Sequence, residues 1–151
     1  MKAKYAIAAI LMSHVVISAS YAVELDTANE AAADINAEIV YRCQYQLGEF
    51  GINAVTMCIE TEHEARKALS EYPAETADIV WRCMRALYDR GWGMIKTCSD
   101  NDIAAEAALR IYSPQHQDII DACRDKVGRN RHAEVRKCVD ADLAEQGEVP
   151  D

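Results

Sequence analysis

Residues 79–98 read IVWRCMRALYDRGWGMIKTC, and the two cysteines in this stretch stand 15 residues apart. Ile79, Val80, Cys83 and Leu87 recur at spacings of three and four, which puts them on one face of a helix. Gly91 and Gly93 then break the pattern and mark a turn. Cys83 falls eight residues before Gly91 and Cys98 five residues after Gly93. In an antiparallel helical hairpin, with a rise of about 1.5 Å per residue on each arm, those positions lie level. The stretch therefore predicts two helices joined by a short turn and stapled across it.

A shift of 40 residues in either direction lands on the same pattern. The six cysteines are Cys43, Cys58, Cys83, Cys98, Cys123 and Cys138, with offsets of 15 inside each pair and 40 from pair to pair. A fixed period of this size is the mark of a tandem supersecondary unit. The match extends past cysteine. Ile39-Val40 aligns with Ile79-Val80 and Ile119-Ile120, Arg42 with Arg82, and Leu47 with Leu87 and Val127. Gly51 aligns with Gly91, Ala68-Leu69 with Ala108-Leu109, and Tyr72 with Tyr112, while the third copy lacks this last segment. In the second half of the first copy, Val55, Cys58, Ala65, Leu69 and Tyr72 form another helical stripe. Alternation of period two is absent, which argues against strands.

The expected fold is all-α: three tandem 40-residue disulfide-stapled helical hairpins forming a short solenoid or a six-helix bundle. Equivalence of the repeats favours the solenoid. The repeats run over about 33–72, 73–112 and 113–145, within one domain spanning 29–145. Gly48 and Gly51, Gly91 and Gly93, and Gly128 and Asn130 mark the inner turns. Thr27-x-x-Glu30 reads as a capping box, Ser113-Pro114 as an N-cap followed by proline at the first helical position, and Pro73 as a restart after Tyr72. The tail from Gln146 to Asp151 reads as frayed. Sequence alone leaves cysteine connectivity open, but repeat symmetry gives each unit its own pair: Cys43–Cys58, Cys83–Cys98 and Cys123–Cys138. A staple closing about 15 residues is worth roughly 3 kcal/mol in the loop-entropy account. Zinc fits poorly, because its knuckles use closely spaced cysteines and no histidine here keeps a fixed register.

The hairpin plan resembles that of Sel1-like and tetratricopeptide repeats, some of which are disulfide-stapled in exported bacterial proteins. The resemblance covers the plan alone. Those families have shorter periods, and no functional residue is carried over from them.

Met1-Lys2-Ala3-Lys4, the apolar run from Tyr5 to Ile17, and the small residues Ser20 and Ala22 have the layout of a secretory signal peptide over 1–22. Residues 23–28 form a lead-in. Export agrees with an even cysteine count. The expected location is the periplasm, or outside the cell, with no stable membrane insertion after cleavage. The chain carries net charge −9. Removing Lys2 and Lys4 leaves 14 basic against 25 acidic residues in 129, or −11. Such a balance disfavours nucleic acid as a partner.

Acids recur in all three copies: Glu38, Asp78 and Asp118; Glu60, Asp100 and Asp140; Glu62, Asp102 and Asp142. Most read as solvated i,i+4 partners, as in Glu38–Arg42, Asp78–Arg82, Glu62–Arg66, Lys96–Asp100 and Arg136–Asp140. Glu62, Asp102 and Asp142 also suggest a ladder for a cation or a basic peptide, since hard cations take oxygen ligands. The third hairpin has the opposite sign between Arg124 and Lys137, where Arg124, Lys126, Arg129, Arg131, Arg136 and Lys137 are opposed by Asp125 and Glu134 alone. A basic tip of this kind suits an acidic partner, or the acidic end of a neighbour. Trp92, set between glycines, reads either as a partner anchor or as a lid over the hairpin, and Tyr88 and Trp81 favour the lid.

Catalysis has little support. The histidines do not recur, the cysteines are committed to bridges, and the nucleophile, zinc and phosphate-loop motifs are absent. No cofactor is expected. The function expected from sequence is a non-catalytic repeat module that binds or scaffolds a protein or peptide, with Trp92, Arg124, Lys126, Arg129 and Arg131 as candidate contacts. The alternatives are a periplasmic small-ligand or cation-binding protein, or a small enzyme inhibitor or immunity protein.

Overall fold

The computed structural model describes residues 33–147, which are helical apart from short turns and contain no strand. The signal sequence, the lead-in, the Thr27 capping box and most of the tail lie outside the described residues. Among the described residues six helices run in the order α1 (33–47), α2 (Ile52–Ser70), α3 (Ala77–Leu87), α4 (Trp92–Ile111), α5 (Gln117–Val127) and α6 (His132–Glu145). The chain divides into two compact units between Thr56 and Met57, within α2.

All six cysteines are disulfide-bonded. Cys83–Cys98 and Cys123–Cys138 each close across a hairpin with Cα atoms 5.8 Å apart. Cys43 and Cys58 are disulfide-bonded as well. The expected stapled repeat is therefore the observed one. The level placement follows from the helix rise, since each bridge leaves nearly equal lengths of helix to the turn.

The cysteine-bearing faces are the buried faces. In the first unit Ile39 and Cys43 are fully buried on α1 and Val55 is buried on α2. In the second unit Ile79 and Cys83 on α3, with Ile95, Ala105 and Leu109 on α4, repeat the pattern. Leu109, Ile120, Cys123, Val135, Val139 and Leu143 form one core cluster, against which Tyr112, Ile119, Val127 and Cys138 pack. Helix α3 packs on α4, α5 on α6, and α4 on α6, so the second helices of successive hairpins are neighbours.

The inner turns of the first two hairpins are equivalent. Each is a single 3-10 turn, Gly48–Phe50 or Tyr88–Arg90, followed by a glycine at positive φ, 92° at Gly51 and 99° at Gly91. A side chain would be strained there, which explains why those glycines recur. The third hairpin moves the left-handed residue three positions earlier. Gly128, at φ 105°, donates to the Arg124 carbonyl at 2.9 Å and ends α5 in place of the 3-10 turn. Between hairpins, Pro73 and Ser113 each precede a short 3-10 turn that leads into the next helix. Pro114 occupies the first position of that turn rather than of α5, and no side chain caps it.

Candidate interaction surfaces

Four of the recurrent acids, Glu62, Asp100, Asp102 and Asp140, join one hairpin to the next. Glu62, on α2, accepts the backbone N–H of Trp92 at 2.6 Å and of Gly93 at 3.1 Å, at the start of α4. Forty residues on, Asp102 accepts the N–H of Ala133 at 2.8 Å, at the start of α6. The first N–H groups of a helix have no partner within it, and the positive end of its dipole favours a carboxylate. Each acid thus caps a helix in the following repeat. Gly93 leaves room for the longer acid, since a Cβ there would lie 3.3 Å from Glu62 Oε1. Where the acid is one methylene shorter, at Asp102, the opposing residue is Ala133.

Asp102 is 4% exposed and also forms an ion pair with Arg82. The expected Asp78–Arg82 pair is replaced by this one. A buried carboxylate has lost its water and gains most from a cation, whereas Asp78 remains exposed in solvent. Arg66 lies over the Trp92 ring at 6.0 Å from its centroid.

A second contact repeats across the same seams. Tyr72, just past α2, donates to Asp100 on α4, and Tyr112, just past α4, donates to Asp140 on α6. Burial raises the Asp100 carboxyl pKa, but hydrogen bonds from Lys96 and Tyr72 outweigh it, so the group lies below the usual range. Burial, reinforced by the acid partner, pushes both tyrosines above the usual value. The expected pairs Lys96–Asp100, Arg136–Asp140 and Glu38–Arg42 are present.

Asp142 closes the ladder differently. Its Oδ2 lies 3.7 Å from Cys123 Sγ, and no N–H among the described residues donates to it. Asp102 and Asp142 each lie beside a bridge, next to Cys83–Cys98 and Cys123–Cys138. Sulfurs in a disulfide carry no thiolate, so each group offers a metal one carboxylate.

Trp92 is 9% exposed and meets Tyr88 edge-on at 6.4 Å, so it is placed as a lid. At the basic tip, Arg124 pairs with Asp121, Arg129 with Asp125 and Arg131 with Glu134, while Lys126 is exposed. These are surface pairs of sequence neighbours, and they reduce the free positive charge of the turn.

The aromatic that does stand out is Trp81, 60% exposed on α3. It borders a groove of about 170 Å³ lined chiefly by apolar residues, among them Leu69, Pro73, Val80 and Met84. Tyr41 holds the same register one repeat earlier and is 69% exposed, stacked on Tyr45 at 6.3 Å. The third copy has Asp121 there. The helical stripe placed Trp81 off the cysteine face, and that was the signal available in the sequence.

No protein-family model, curated protein or solved structure matches this chain. Three disulfides agree with an oxidising, exported location. Among the described residues no helix is long and apolar enough to cross a membrane.

Proposed function

We propose that this is a periplasmic, non-catalytic helical-repeat module, exported by its signal peptide, that holds a peptide or protein segment in the groove beside Trp81. The observation that carries this reading is an indole 60% exposed at the rim of an apolar groove. Large aromatics are normally drawn inward, and a tryptophan over an apolar pocket is the side chain most often found at the energetic centre of an interface. Glu62, Asp100, Asp102 and Asp140 are committed to joining hairpins, and the outward aromatics are the distinctive surface. Glu75 and Asp78, exposed on either side of the groove-lining Thr76 and Ala77, and the net charge of −9 favour a basic segment with one apolar anchor.

The test is photo-crosslinking in the periplasm from a reactive residue at position 81, with exposed Lys67 as the control position. The segment captured is then synthesised and titrated against wild type and Trp81→Ala. The expected result is a dominant adduct from position 81 alone and an affinity weakened about tenfold or more by Trp81→Ala. Equal labelling from position 67, or a peptide indifferent to Trp81→Ala, overturns the reading.

A further inference from the structure

We propose that a second copy of this chain docks its first hairpin on the third hairpin of the first copy, continuing the seam already formed twice within the chain. In that contact the carboxylate of Asp142 accepts the backbone N–H groups of Ile52 and Asn53 of the second copy. The 40-residue register defines both halves. Asp142 is the equivalent of Glu62, which accepts the N–H groups of the first two residues of a second helix, and of Asp102, which accepts that of the second residue. Ile52 and Asn53 are the equivalents of Trp92 and Gly93 at the start of such a helix. Among the described residues, no side chain accepts from Ile52 or Asn53, and no N–H donates to Asp142. Asp142 also lacks the cation of the earlier seam, since Ala122 stands where Arg82 pairs with Asp102.

Burial at the equivalent positions points the same way. Trp92, whose helix start is capped by the preceding repeat, is 9% exposed, whereas Ile52 is 76% exposed. An exposed apolar residue at the position that a preceding hairpin covers elsewhere in the chain calls for a cover of the same kind. A contact between two different faces is heterologous, so it propagates into chains or closes into rings.

The experiment is sedimentation velocity on the oxidised protein from about 1 µM to about 1 mM, a range that populates weak and strong interfaces alike. Wild type should gain mass with concentration. Asp142→Lys and Ile52→Lys should each weaken self-association about tenfold or more, with helical content unchanged. The decisive sample is the mixture. Asp142→Lys retains a good first hairpin and Ile52→Lys a good third hairpin, so together they should form a dimer that cannot grow. A wild type that stays monomeric at the highest concentration overturns the proposal. So does an Asp142→Lys variant that associates like wild type, or a mixture no larger than its components. Loss of association in Ile52→Lys alone would show a symmetric apolar dimer instead and would equally overturn it.

Discussion

Glu62 Oε1 stands 3.3 Å from the point that a Cβ on Gly93 would occupy, and it accepts the Gly93 N–H at 3.1 Å. The next seam holds the same contact with both partners changed, a shorter acid at Asp102 and a methyl at Ala133. Acid length and the size of the capped residue are therefore complementary.

Gly93→Ala should fail to deliver the roughly 1 kcal/mol that alanine brings to a helix, because Glu62 must give way. Glu62→Asp with Gly93→Ala reproduces the Asp102–Ala133 pairing and should recover that gain. Urea unfolding of the two single variants and the double variant is expected to show favourable coupling of about 0.5–1.5 kcal/mol. Additive effects would mean that the two positions do not sense each other.

Asp102 joins three elements, since it sits on α4, caps α6 and pairs with Arg82 on α3. Asp102→Ala strands a part-buried guanidinium and an amide, and a loss of about 3–5 kcal/mol is expected. Asp102→Asn keeps an acceptor for Ala133 and should lose less. Equal stability of wild type and Asp102→Ala, by chemical unfolding with the disulfides intact, would remove this residue from the seam.

The hairpins, their turns and their bridges were legible in the sequence because each depends on near neighbours: a stripe of Ile79, Val80, Cys83 and Leu87, a glycine, and a cysteine 15 residues on. The ladder of Glu62, Asp102 and Asp142 was equally visible as a recurrence, but its role was not. Its partners lie 30 and 31 residues away and are backbone amides, which carry no signature in a sequence. Arg82 illustrates the same limit. The i,i+4 rule offered Asp78, which keeps its water, and burial of Asp102 redirected the arginine. Trp81 and Trp92 stand eleven residues apart, and only the packing around the α4 start separates the lid from the exposed ring.

These two tryptophans should respond oppositely to truncation. Trp92→Ala opens a cavity beneath Tyr88 and Arg66 and should cost about 3–5 kcal/mol. Trp81→Ala removes a ring that is mostly in water and should shift stability by no more than about 0.5 kcal/mol. Tryptophan emission gives an independent reading, because Trp81 in water should be quenched by iodide while Trp92 is protected. Equal quenching in the two single-tryptophan variants would contradict the burial difference.

His132 begins α6 at the position that Trp92 holds in α4. Burial lowers its pKa below the usual 6.5, and the cations Arg82, Arg124 and Arg110 act in the same sense, outweighing the nearby Glu106. Glu75 and Asp78 line the same small cavity. The folded protein therefore binds this proton less readily than the unfolded chain. Between the folded and unfolded pKa values the unfolded state holds more protons, so stability rises with pH. The contribution is fully present above pH 6.5 and is lost as pH falls through the folded value. Unfolding free energies measured from pH 7.5 down to pH 5 should decline in wild type, and the decline should be shallower in His132→Gln. His63 and His116 remain in both proteins and serve as the internal background. An identical pH slope in the two would show that protonation of His132 is not linked to folding.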